Sequence, residues 1–116
     1  MTLVDTSVWV HHLRNGNNEL RRLLDNAEVL CHPFIIGELA CGTMKNRTEV
    51  MDLIQSLPEA FVAEHDEVLQ FLNANKLYGQ GLGWIDLHLI ASASLSKATL
   101  WTMDRSLKRA ADRLGS

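Results

Sequence analysis

The chain opens on Thr2-Leu3-Val4, a short apolar run that stops at Asp5, and continues with Val8, Trp9, Val10 and Leu13 at helical spacing. This predicts a strand and then a helix. A turn cluster, Asn15-Gly16-Asn17-Asn18, separates it from a second amphipathic helix carried by Leu20, Leu23, Leu24 and Ala27. A strand near Val29 to Cys31 follows, and Pro33 suits the first turn of an apolar helix that runs to Gly42. Val50, Met51, Leu53, Ile54 and Leu57 predict a helix over 46–57, Phe61 to Ala63 a brief strand, and Asp66 the cap of a helix reaching about Leu77. Beyond a loop spaced by Gly79, Gly81 and Gly83 come an apolar helix from Ile85 to about Lys97 and a strand from Thr99 to Met103. The last helix buries Leu107, Ala110, Ala111 and Leu114. Strands alternating with helices predict an α/β domain, a short parallel sheet flanked by helices on both faces, and 116 residues suffice for one such domain over 1–116.

Composition narrows the function classes. With 47% hydrophobic and 22% charged residues the chain can fold by burial, which sets aside a disordered or fibrous protein. A net charge of −3 argues against coating nucleic acid by bulk electrostatics. Residues 97–116 carry five basic and two acidic side chains, so any RNA contact is expected to be local. Cys31 and Cys41 lack metal-ligand spacing and are expected to be buried thiols. The first residues do not have the pattern of a secretory leader, and the apolar stretch 77–96 is interrupted by glycines, serines, Gln80, Asp86 and His88. A cytoplasmic protein with no membrane span is the expectation.

Four acids stand out. Asp5 and Asp104 each follow a predicted strand directly, at the carboxyl ends where open α/β sheets bind ligands. Either could instead cap the helix after it. Glu38 and Asp86 are each the sole charge in a helix expected to be buried. Burying a lone carboxylate costs several kcal/mol without compensation. Asp86, in the first turn, gains from the helix dipole; Glu38, mid-helix, has no such relief. If the four converged, adjacent pairs would repel by about 4 kcal/mol at an effective dielectric near 20. Some would stay protonated, or a hard divalent ion, Mg²⁺ or Mn²⁺, would sit among them with oxygen ligands and retained waters. The ion accounts for all four acids together and points to phosphoryl chemistry.

These residues carry a resemblance. Leu3-Val4-Asp5-Thr6-Ser7, Gly37-Glu38-Leu39, Gly83-Trp84-Ile85-Asp86 leading into Leu89-Ile90-Ala91, and Leu100-Trp101-Thr102-Met103-Asp104 occur in this order across nearly the whole chain. Together they resemble a PIN-domain protein, specifically a VapC-type toxin ribonuclease of a toxin–antitoxin pair. The resemblance implies a PIN-like three-layer fold and an acidic pocket of Asp5, Glu38, Asp86 and Asp104. It implies that the pocket binds Mg²⁺ or Mn²⁺, with Ser7 and Thr102 orienting a water or a carboxylate. It further implies endoribonuclease activity leaving 5′-phosphate and 3′-hydroxyl ends, a homodimer, and a small VapB-like antitoxin whose tail blocks the pocket. Thr6 reads as a helix cap.

Other features invite other chemistry. Arg105, Lys108 and Arg109, with Arg113, line one side of the last helix and could meet RNA phosphates, although any amphipathic helix needs a solvated face. Arg14, Lys45, Arg47 and Lys76 fall near helix ends or loops. His11 and His12 could cleave RNA without metal, but adjacent helical residues point about 100° apart. Ser7 lacks the Gly-x-Ser-x-Gly elbow of a serine hydrolase. The alternative from a different class is a non-catalytic PIN-like protein-binding module using an acidic face.

Overall fold

A computed structural model describes residues 1–116. Three strands, β1 (Thr2–Val4), β2 (Val29–Leu30) and β3 (Thr99–Trp101), form one parallel sheet in the order β2-β1-β3. Leu3 and Val4 are successive and both fully buried. Successive strand residues point to opposite faces, so both faces of the sheet are covered, as the α/β expectation required. Seven helices supply the cover: α1 (Thr6–Asn15), α2 (Asn18–Asp25), α3 (Pro33–Ala40), α4 (Arg47–Ser56), α5 (His65–Ala74), α6 (Trp84–Leu95) and α7 (Arg105–Arg113).

Local chemistry sets the helix boundaries. Gly16, at φ +75°, ends α1 with its N–H on the His12 carbonyl, and Asn17 starts α2 by accepting the Leu20 N–H at 2.9 Å. His32 caps α3 by accepting the Phe34 N–H at its Nδ1, with Pro33 at the first helical position. Helix α6 is buried along the whole of Leu87–Ala93, which is why it shows no apolar stripe in the sequence and packs against β3 and α5. Gly81 has φ +77°, and a Cβ there would stand 3.3 Å from Ser106 Oγ, so the loop entering α6 is drawn against the first turn of α7.

Three expectations fail. Phe61–Ala63 is no strand: the Phe61 N–H is taken by Ser96 Oγ, just past α6, and the Ala63 N–H by Ser92 Oγ of α6. The sheet is instead extended only by a bridge between Cys31 and Glu59. Asp66 lies inside α5, whose cap is Glu64, with the Glu67 carboxylate accepting the Glu64 N–H at 2.9 Å. Cys31 is a buried thiol, pushed up to about 11 by that burial, but Cys41 is exposed.

Candidate active site

The sheet register builds the centre of the site. Val4 pairs with Trp101, so Asp5 and Thr102 leave the sheet side by side at the carboxyl ends of adjacent strands. The Asp5 N–H donates to the Trp101 carbonyl at 2.9 Å, and the Asp5 side chain is almost entirely buried. Asp5 stands at the N-cap of α1 but does not cap it with its side chain. Its Oδ2 accepts two hydroxyl protons instead, from Ser7 Oγ at 2.8 Å and Thr102 Oγ1 at 2.7 Å. Each hydroxyl has one proton, so the 3.3 Å approach of Ser7 to Thr102 is two donors meeting on one acceptor. Both hydroxyls accept in turn, Ser7 from the Met103 N–H and Thr102 from the Asp104 N–H, each at 3.0 Å. Ser7 and Thr102 thus fix the carboxylate of Asp5 and tie it to the start of α7.

The other three acids are oriented by separate donors. Asp104 caps α7, its Oδ1 accepting the Leu107 N–H at 2.8 Å, so its capping role is real and coexists with its place beside Thr102. Asp86, half-buried in the first turn of α6, turns its Oδ2 back to the Gly83 N–H at 3.0 Å. Burial raises the Asp86 pKa; the Gly83 N–H opposes this, and the Asp104 and Asp5 carboxylates reinforce it. Glu38 corrects an expectation, because it lies on the exposed side of α3, beside exposed Phe34 and Gly37, and is not a buried charge. It is held nonetheless: Thr6 Oγ1 donates to Glu38 Oε1 at 2.8 Å. Thr6 therefore holds the Glu38 side chain, although its place at a helix start reads as a cap. Thirty-two positions separate the pair, and no local pattern marks it.

One regularity runs through the set. Each of Asp5, Glu38, Asp86 and Asp104 has one oxygen bound to a protein donor and the other free of any. None is paired with a lysine or arginine; the two ion pairs of the chain are Arg22–Glu19 and Lys108–Asp112. No three His, Cys, Asp or Glu side chains stand close enough to enclose an ion between them. The donor set still fits Mg²⁺ or Mn²⁺, hard ions that take oxygen ligands and commonly rest on one or two carboxylates while keeping several waters.

Arg105, Lys108 and Arg109 are exposed on α7, Lys108 bound to Asp112 at 3.2 Å. His12 accepts the Asn17 N–H at 3.0 Å, and His11 faces the Asn17 side chain, so both histidines serve the turn between α1 and α2. Trp9 is core, whereas Trp84 is part-exposed and packs between His65 and His88.

A short parallel sheet with helices on both faces, which sets Asp5 and Thr102 side by side at the carboxyl ends of adjacent strands, defines a small α/β domain. The chain belongs to the PIN-domain family, whose model matches residues 2–113. It is similar to Ribonuclease VapC32 of Mycobacterium tuberculosis, in strains CDC 1551 / Oshkosh and ATCC 25618 / H37Rv. The identity to each is 46% over 116 residues, covering 99% of this chain and 94% of the relative. Among solved structures it resembles the crystal structure of FitAcB from Neisseria gonorrhoeae, with TM-score 0.66 and 22% identity, over 97% of this chain and 94% of that one. That second likeness concerns the fold. No helix is long and apolar enough to cross a membrane.

Proposed function

We propose that this chain is an endoribonuclease dependent on Mg²⁺ or Mn²⁺, and the toxin of a toxin–antitoxin pair, with Asp5, Glu38, Asp86 and Asp104 as its acidic site. The observation that carries the reading is the set of four carboxylates, each steered through one oxygen and open at the other, with no basic side chain to neutralise them. Left alone, Asp86 feels the charges of Asp104 and Asp5, which repel its ionised form. Strong identity to a protein named as a ribonuclease, over nearly the full length of both chains, supports RNA as the substrate.

A divalent ion bound there supplies Lewis acidity and an activated water for in-line attack on a phosphodiester. The chain's own residues do the positioning. Ser7 and Thr102 both donate to Asp5 Oδ2, which fixes the carboxylate and leaves Oδ1 available. Gly83 and Leu107, through backbone N–H groups, fix the rotamers of Asp86 and Asp104, and Thr6 fixes Glu38. Burial raises the Asp86 pKa, so a cation nearby favours its ionised form. A small VapB-like antitoxin and a second copy of this chain are the partners proposed with the activity, and the cytoplasm is the proposed place of action.

The test is purified chain with total cellular RNA and Mn²⁺, Mg²⁺ or EDTA, followed by mapping of the cut ends. Metal-dependent cuts leaving 5′-phosphate and 3′-hydroxyl ends are expected, and Asp86→Asn should abolish them. Cutting that survives EDTA, or ends bearing 2′,3′-cyclic phosphate, defeats the mechanism. An intact acidic site that binds protein but never cuts RNA would turn the assignment to a binding module.

A further inference from the structure

The acidic site does not end at its carboxylates. Thr6 and Glu38, hydrogen-bonded to each other, form one wall of a groove of about 610 Å³ between α1, α3 and the turn at 42–45. The same groove is lined by Arg14, in the last turn of α1, and Lys45, in the turn before α4. Neither cation makes an ion pair, and neither side chain has a hydrogen-bond partner in the protein. Leu13 and Met44 are among the apolar side chains of its lining.

This combination selects its occupant. A free anion would meet Glu38, a cation would meet Arg14 and Lys45, and a purely apolar ligand would leave all three charges without a role. A polymer with phosphates at regular intervals and flat, apolar-faced bases between them satisfies every part, provided that its phosphate meets Glu38 through the divalent ion of the acidic site. The volume falls within the roughly 300–1,000 Å³ usual for small-ligand sites, enough for a nucleotide unit. A chain of net charge −3 cannot attract RNA by its overall field, so unpaired cations opening onto the acidic site are where local attraction is available.

We propose that this groove seats the nucleotide adjoining the cleaved phosphodiester, with Arg14 and Lys45 binding the neighbouring phosphate. The assignment rests on the ribonuclease reading and adds to it a substrate-positioning site that lies apart from α7. Arg14 and Lys45 lie in different elements on one groove, so their effects on RNA binding should appear together.

The experiment compares Arg14→Gln/Lys45→Gln with wild type and with Lys97→Gln, which removes one charge at the amino end of β3, away from the site. Cutting of a single-stranded RNA with Mg²⁺ gives KM and kcat. Binding of the same RNA in an Asp86→Asn background, across a salt series, gives affinity without cleavage. The double variant should raise KM about tenfold or more with kcat within about twofold. Its plot of log affinity against log salt should be shallower by about 0.7 for each phosphate that is no longer neutralised. Lys97→Gln should leave KM as in wild type, and the charge-keeping Arg14→Lys/Lys45→Arg should restore it. If Arg14→Gln disturbs α1, Lys45→Gln alone, in an exposed turn, gives the same readout at half the slope change. A folded double variant with wild-type KM and salt slope overturns the proposal and leaves the groove to a protein partner. A wild type that cuts no RNA, yet binds it through Arg14 and Lys45, would sink the nuclease reading and keep the groove.

Discussion

Thr102 Oγ1 donates to Asp5 Oδ2 across 2.7 Å, joining residues 97 positions apart where two neighbouring strands leave the sheet. The same hydroxyl accepts the Asp104 N–H, so one buried oxygen couples two of the four acids. Thr102→Val keeps the shape and removes both bonds, leaving a buried carboxylate with one donor fewer and an N–H without an acceptor. A loss of about 1–3 kcal/mol in unfolding free energy is expected. RNA cutting should fall with it, and Thr102→Ser should recover most of both. Denaturant titration beside a cleavage assay measures the two effects; a Val variant as stable and as active as wild type would show that Ser7 alone holds Asp5.

The strand-then-acid pattern at Asp5 and Asp104 is legible because a short apolar run broken by an acid is a local signal, and α/β sheets place such positions at their ligand-binding edge. The isolation of Asp86 in an apolar helix is legible for the same reason. Glu38 stands out in the sequence for the wrong reason, since the apolar composition of α3 hides an exposed side on which Phe34, Gly37 and Glu38 lie together. What joins the acids is not legible at all. Thr6 to Glu38 and Thr102 to Asp5 are contacts between elements remote in sequence, and a hydroxyl carries no mark of the partner it will find. Phe61–Ala63 misleads in the opposite way: its residues favour a strand, but serine hydroxyls in and just past α6 take the Phe61 and Ala63 N–H groups that a ladder would use.

Thr6 offers a clean separation of positioning from folding. Its hydroxyl reaches Glu38 at an exposed site, where removing a hydrogen bond disturbs the core little. Thr6→Val should therefore change stability by no more than about 0.5 kcal/mol. Metal-supported RNA cutting should nevertheless drop about 10–100-fold, the usual effect of losing a group that orients a metal ligand. Thr6→Ser should retain activity. Equal kcat in Thr6→Val and wild type would remove Glu38's orientation from the mechanism.

Asp86 sets function against stability. Its folded pKa is raised, by burial first, so the folded state holds the proton more tightly than the unfolded one. The contribution of this group is therefore fully present at acid pH and declines as pH rises past the ordinary carboxyl value of 3.8. At neutral pH the ionised side chain strains the fold, and Asp86→Asn relieves that while still accepting the Gly83 N–H. Without metal the variant should melt at or above the wild-type temperature, although with metal it should no longer cut RNA. Saturating Mg²⁺ should stabilise wild type, by about 2.7 kcal/mol at a hundred times Kd, and leave the variant unmoved. A variant that melts lower than wild type in EDTA contradicts the repulsion argument.

His32 predicts how the fold responds to acid. The ring is fully buried and its Nδ1 accepts the Phe34 N–H at 3.0 Å, which requires the neutral tautomer with the proton on Nε2. Nε2 has no partner, and the nearby His88 is buried with Nδ1 equally unpartnered. Burial, reinforced by His88, pushes His32 from 6.5 down to about 4, and burial lowers His88 in the same direction. Between these values the unfolded chain binds a proton that the folded chain refuses, so stability rises with pH across the window and is lost on acidification from 6.5 toward 4. The loss from His32 alone should be on the order of a few kcal/mol. His32→Asn keeps a side-chain oxygen able to accept the Phe34 N–H but cannot titrate. Urea unfolding at about pH 7 and about pH 4.5 should show a larger drop for wild type than for this variant, whatever the variant's starting stability. Parallel curves for the two proteins would mean that His32 takes up its proton in the folded state as readily as in the unfolded one.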